Sequence, residues 1–140
     1  MIKRILVIGH GFVGSALEQS FLKEVKKEIV DPKYNNKIED FASFNPHLIF
    51  ICVPTPSKSN GDCNTDIVES VIEELSKAEY KGVVAIRSST VPGFTRLMSE
   101  RYKNLQICFV PEFVRERCAE HDFINEHELL AIGTKDNYVF

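Results

Sequence analysis

The sequence of 140 residues has no apolar stretch near the roughly 20 residues that a membrane-spanning helix needs, so no membrane partner is expected. Its four cysteines, at positions 52, 63, 108 and 118, form no C-x-x-C pair, and no histidine cluster has zinc-ligand spacing, so no metal site is expected. Cys52 and Cys108 lie inside apolar runs and read as inert packing thiols, a usage that fits a reducing, cytoplasmic compartment. There is no basic stripe: lysine and arginine are scattered, the net charge is −3, and nucleic acid is not expected as a partner. Internal repeats, low-complexity segments and linker-like stretches are lacking too. The opening "MIKRILVIGHG" has an apolar run of only four residues before glycine interrupts it. A leader peptide needs about 7–15, so this start reads as a first buried strand.

What is present is the composition of a globular domain, 44% hydrophobic and 26% charged. A chain of this length suits one domain and buries about 68–70% of its unfolded surface, enough for a core without staples. Its apolar residues alternate between two periods. Ile5–Ile8 is a short run, then Val13, Ala16, Leu17, Phe21 and Val25 recur three or four apart as a helix face. Lys23, Lys26 and Lys27 fall where that helix's C-terminal dipole favours cations. "EIVD" (28–31) is a second strand, and a weak helical stretch over 38–44 is broken at Asn45-Pro46. "HLIFICV" (47–53) is apolar on both faces, as in a parallel sheet covered on both sides. After a loop, Ile67, Val68, Val71, Ile72 and Leu75 form the clearest helix face, with Asp66 and Glu69 as an N-terminal cap pair. "GVVAIRS" (82–88) is a fourth strand. Phe94, Leu97, Met98 and Tyr102 mark a helix started near Pro92. "LQICFV" (105–110) is a fifth strand, and "ELLAIG" (128–133) is a candidate sixth. Strands alternating with helices predict an α/β fold, a doubly wound sheet of about six parallel strands in the order 3-2-1-4-5-6 with helices on both faces.

In that frame "VIGHGFVG" (7–14) gains meaning. A lone G-x-G-x-x-G is a weak signal, but this one follows a strand and opens a helix. Gly9 allows the tight turn, Gly11 lets the backbone approach a pyrophosphate, and Gly14 lets helix and strand pack closely, with Phe12 and Val13 inside the same turn. The helix N-terminus offers free N–H groups to phosphate. Asp31 stands 22 residues after Gly9, where a carboxylate holds ribose hydroxyls, favours NAD and repels the extra phosphate of NADP. The other reading of Asp31 is a turn residue before Pro32. His10 reads as incidental, its side chain pointing away from the turn.

"VPTP" (53–56), "SSTVPG" (88–93), "VPEFVRE" (110–116), "CAEHDF" (118–123) and "LLAIG" (129–133) follow one another in a set order, the first three each closing a strand at the sheet edge where open α/β sheets bind ligands. Together with the glycine turn they resemble the N-terminal, Rossmann-type domain of the UDP-glucose/GDP-mannose dehydrogenase family, over about residues 3–133. The resemblance implies NAD as cofactor and, for the whole enzyme, oxidation of the C6 hydroxyl of a UDP- or GDP-linked sugar to the carboxylate. It implies cofactor contacts at Gly9, Gly11, Phe12, Val13, Gly14, Asp31, Val53, Pro54 and Thr55. Thr90 would lie near the nicotinamide and the reacting carbon. Glu112 and Glu116 would border the sugar, the first in acid–base steps. Read without the family, Glu112 and Glu116 share one face of a short helix started by Pro111. There they are either bases held against Phe113 and Val114 or solvated first-turn acids, and Thr90 also reads as a helix N-cap.

The resemblance has gaps. The family's nucleophilic cysteine lies in a G-F-G-G-x-C stretch, and none of the four cysteines here stands in one. The family's central helix and C-terminal substrate domain are absent, Arg117 replaces a usual glycine, and Glu126-His127-Glu128 replaces a usual Pro-Asp-Arg. The expectation is one NAD(P)-binding domain over 1–140 that is inactive alone as an oxidoreductase. A homo-oligomer or a complementing catalytic-domain polypeptide is the expected partner. The alternatives are a stand-alone NAD-binding or sensing module, or the cofactor domain of a β-hydroxyacid-type dehydrogenase.

Overall fold

The computed structural model describes residues 2–113, 116–125 and 129–135. Five parallel strands, β1 (Arg4–Ile8), β2 (Lys26–Val30), β3 (Leu48–Ile51), β4 (Val83–Ile86) and β5 (Gln106–Phe109), form one sheet in the order β2-β1-β3-β4-β5. The helices are α1 (Phe12–Ser20), α2 (Asp66–Lys77), α3 (Phe94–Arg101) and α4 (Ala119–Asn125). Two 3-10 segments, Pro32–Tyr34 and Ile38–Phe44, join β2 to β3.

The period-two alternation of the strands divides the core. Leu6, Ile8, Ile49, Ile51, Val84, Ile86 and Ile107 face one side, where Val68, Val71, Ile72 and Leu75 of α2 and Phe94 and Met98 of α3 cover them. Ile5, Val7, Phe50, Ala85 and Cys108 face the other, beneath Leu17 of α1. A sheet buried on both faces is what the unbroken apolar runs demanded.

The doubly wound Rossmann-type class stands, with a different count and order: five strands, not six, in the order 2-1-3-4-5. The third strand does not lie outside β2. It pairs directly with β1, in the register Ile5↔Leu48 to Ile8↔Ile51. Burial explains the choice. β3 is apolar on both faces and belongs inside the sheet, whereas β2 exposes Lys26 and tolerates the edge. The candidate sixth strand contributes, among the described residues, a single antiparallel bridge of Gly133 with Phe109, both N–H···O distances being 2.8 Å.

Other local expectations shift as well. α1 ends at Ser20, so Val25 leaves its face, and Lys26 and Lys27 belong to β2; Lys27 reaches back to Glu18 at 3.3 Å. Asp66 is the first residue of α2, and its N–H is capped by Asn64 Oδ1 at 2.9 Å in place of an Asp66–Glu69 pair. α3 starts at Phe94 behind Gly93, whose φ of 88° only glycine adopts without strain.

Candidate cofactor site at the carboxyl edge of the sheet

The chain switches sides between β1 and β3, since α1 covers one face of the sheet and α2 the other. The crevice beyond the carboxyl ends of those two strands is the ligand position of open α/β sheets. The glycine turn sits there. Gly9 has φ +89°, and a Cβ on it would lie 2.6 Å from the carbonyl oxygen of Cys52. A Cβ on Gly14 would lie 2.0 Å from the Gly9 oxygen and 3.4 Å from Cys52 Cβ. Both positions are closed to any side chain because β1, α1 and the end of β3 meet there. Gly11 differs: nothing lies within 4 Å of where its Cβ would be. As the N-cap it offers α1 no side-chain cap, and the first turn carries no acid, so the amides there face an open approach. Phe12 is exposed and Val13 half-buried.

Asp31 closes β2 and lies beside this turn. The His10 N–H donates to Asp31 Oδ2 at 2.6 Å, and the Lys33 N–H donates to Oδ1 at 3.0 Å. The Asp31 N–H in turn donates to Asn36 Oδ1 at 3.1 Å. A carboxylate has about four lone-pair sites, so two amide bonds leave it able to accept two hydroxyls. Burial works to raise the Asp31 carboxyl, but the two amides and the Lys33 charge outweigh it and hold it below the usual range. A dinucleotide therefore fits the residues present, with open amides for its diphosphate and a fixed carboxylate for its ribose.

His10 is not incidental. Its Nδ1 lies 2.8 Å from the Tyr34 hydroxyl, and its Nε2 lies 3.9 Å from Glu18 Oε2. Lys33 Nζ donates to the His10 carbonyl and stands 5.0 Å over the Tyr34 ring. The side chain in the G-x-G gap thus ties the turn to the segment after β2.

Val53, Pro54 and Thr55 leave β3 on the same edge, Val53 packed against the α2 face and Thr55 half-buried. Ser88 joins them to β4: its Oγ donates to the carbonyl of Val53 at 2.7 Å, and its N–H donates to that of Ile51 at 3.1 Å. Thr90 is half-buried two residues on, with Gly93 rather than Thr90 in the N-cap position of α3. Glu112 does not stand on a helix. It lies in the irregular segment after β5, where the buried guanidinium of Arg87 donates to its Oε2. Glu116 opens a 3-10 turn, Glu116–Cys118, and its side chain lies outside the described residues, as do residues 126–128. The helical face expected for the two glutamates is therefore not formed at Glu112, whose carboxylate is drawn to the end of β4 instead.

None of the four cysteines forms a disulfide. Burial pushes the Cys52 thiol up to about 12 and the Cys108 thiol up to about 11, so both stay protonated at neutral pH. Among the described residues no group of His, Cys, Asp and Glu is placed to hold a metal ion, and no helix is long and apolar enough to cross a membrane. Phe12, at the start of α1, and the loop residues Val91 and Phe113 are exposed at the carboxyl edge.

Residues 22–139 match the family model described as "UDP-glucose/GDP-mannose dehydrogenase family, NAD binding domain". A UDP-glucose 6-dehydrogenase of Rickettsia felis is 30% identical over 127 residues, covering 87% of this chain and 27% of its own. A GDP-mannose 6-dehydrogenase of Pseudomonas syringae is 27% identical over 146 residues, covering 82% of this chain and 33% of its own. The chain thus spans a third or less of the length of these two curated relatives. The solved UDP-glucose dehydrogenase of Pyrobaculum islandicum superposes with a TM-score of 0.80 over 99% of this chain and 42% of its own, at 19% identity, a likeness of fold.

Proposed function

Because the chain belongs to the UDP-glucose/GDP-mannose dehydrogenase family, as a copy of its NAD binding domain, we propose that it supplies the NAD half of a nucleotide-sugar 6-dehydrogenase. The cofactor is NAD, which accepts hydride from the C6 carbon of a UDP- or GDP-linked sugar when bound. The observation that carries the reading is the Gly9–Gly11–Gly14 turn with the Asp31 carboxylate fixed beside it by the His10 N–H.

In this reading the amides of Gly11, Phe12, Val13 and Gly14 bind the pyrophosphate. Asp31 binds the adenosine ribose and excludes a 2′-phosphate. Val53, Pro54 and Thr55 border the adenosine half, and Thr90 the nicotinamide. Glu112 takes the proton of the C6 hydroxyl as hydride leaves, and Glu116 borders the sugar. The covalent steps of the second oxidation fall to a cysteine that these 140 residues do not contain, since Cys52 and Cys108 are protonated packing thiols and neither Cys63 nor Cys118 stands in a glycine-rich stretch. The domain then binds NAD but does not turn over nucleotide sugar alone. It works with a catalytic cysteine domain, docked on the carboxyl edge where Phe12, Val91 and Phe113 are exposed.

The test is NADH fluorescence with the purified chain, followed by absorbance of NADH formed from NAD⁺ and UDP-glucose or GDP-mannose. The reading predicts enhanced NADH fluorescence and no turnover. Turnover by the chain alone would refute the division of labour, and unaltered fluorescence would refute the cofactor role.

A further inference from the structure

We propose that Arg87 is a positioning residue: it fixes the Glu112 carboxylate, in place and in orientation, at the carboxyl edge of β4 and β5. This rests on the reading of Glu112 as the base.

The placement follows from the strands. Along β4, Val84 and Ile86 face α2 and α3, so Ala85 and then Arg87 face α1. A lone arginine on the inward period of an apolar strand needs a partner. Its backbone is fixed, because the Arg87 N–H donates to the Ile51 carbonyl at 2.9 Å and the next residue's hydroxyl is bonded to β3 as well. β5 runs beside β4 in the register Ile86↔Phe109, and the Val110 N–H donates to the Ile86 carbonyl at 2.9 Å. Glu112, two residues beyond Val110, therefore emerges next to Arg87, and the guanidinium donates to Glu112 Oε2. The side chains are 7% and 15% exposed, so the pair is shielded from water.

A charge-assisted bond in such surroundings is strong and directional. Lysine, a point charge, would serve the charge but not the planar fork that sets the carboxylate's orientation. Both charges also reach the end of β3: the Cys52 thiol, raised mainly by burial, is lowered by Arg87 and raised by Glu112.

The experiment is ¹³C NMR of the glutamate-labelled chain at neutral pH, following the Glu112 carboxyl signal in the native protein, Arg87→Met and Arg87→Lys. The proposal predicts that Arg87→Met moves the Glu112 carboxyl signal and that Arg87→Lys, a cation without the planar fork, restores it only in part. A Glu112 signal unmoved in folded Arg87→Met overturns the proposal, since a purely structural arginine alters stability but not this signal. Should Arg87→Met fail to fold, the Arg87 side-chain N–H signals are read in Glu112→Gln at neutral pH. They are expected to shift and exchange faster, and unchanged signals overturn the proposal. NAD⁺ titration of the native chain separates the two ideas. Failure to bind NAD⁺ refutes the proposed function, whereas NAD⁺ binding with an unmoved Glu112 signal refutes the positioning role only.

Discussion

Gly14→Ala tests the packing of the phosphate turn because two opposed effects can be weighed. Gly14 lies inside α1, where alanine gains about 1 kcal/mol over glycine in helix propensity. Against this, the new methyl would lie 2.0 Å from the Gly9 carbonyl oxygen, where ordinary contact begins at 3.4 Å. Gly9 cannot retreat, since its own Cβ position is already 2.6 Å from the Cys52 carbonyl oxygen. α1 must therefore lift from the sheet and loosen Ala16 and Leu17, which are 3% and 4% exposed. Overpacking against rigid backbone costs about 3 kcal/mol, the upper end of its usual range. The net expectation is a destabilisation of about 2 kcal/mol, or about 7 °C in Tm for a chain of this size. Gly11→Ala is the matched control, with nothing within 4 Å of its Cβ; it is expected to melt within about 3 °C of the native chain, as an N-cap change of at most about 1 kcal/mol, while weakening NAD⁺. Thermal melts followed by circular dichroism decide the matter. Gly14→Ala melting at or above the native temperature would refute the close-packing account.

Three further outcomes are expected. The Asp31 carboxyl is held below the usual range in the folded chain, so its stabilisation is present at neutral pH and is lost as pH falls through the folded value. The Tm difference between the native chain and Asp31→Asn should therefore shrink below about pH 4, and a difference constant down to pH 2 would contradict it. Arg87→Met removes the guanidinium from a largely shielded carboxylate and should cost about 3 kcal/mol in urea unfolding, whereas Arg87→Met/Glu112→Leu should recover at least half; strict additivity of the two single changes would count against the coupled pair. With their thiols pushed up by burial to about 12 and about 11, Cys52 and Cys108 should resist iodoacetamide at pH 8 in the native chain and react once unfolded, as mass spectrometry would show; labelling of either in the native chain would refute their burial.

The elements that were legible in the sequence are those where one period dominates locally. β1, the glycine turn and the start of α1 follow from four apolar residues and three glycines, and α2 buries Val68, Val71, Ile72 and Leu75 of its expected face. Strand order was not legible, because it depends on which strand tolerates an edge. That is settled by the exposed Lys26 of β2 against the doubly buried β3. Glu112 lies in irregular backbone after β5, and its bond from Arg87, 25 residues away in sequence, is a long-range contact that local signals at Pro111 do not encode. Arg87 itself carried a readable signal, one charge on the inward period of an apolar strand. His10 carried none, since its contacts with Tyr34 and Glu18 depend on how the turn meets the segment after β2.

The measurement that bears most directly on the central claim is a calorimetric titration of the 140-residue chain with NAD⁺, beside NADP⁺ and beside Asp31→Ala. The account predicts binding of NAD⁺, much weaker binding of NADP⁺, and loss of NAD⁺ binding in a folded Asp31→Ala. Equal binding of both cofactors, or NAD⁺ binding untouched by Asp31→Ala, would contradict the assignment of the glycine turn and its carboxylate as the cofactor site.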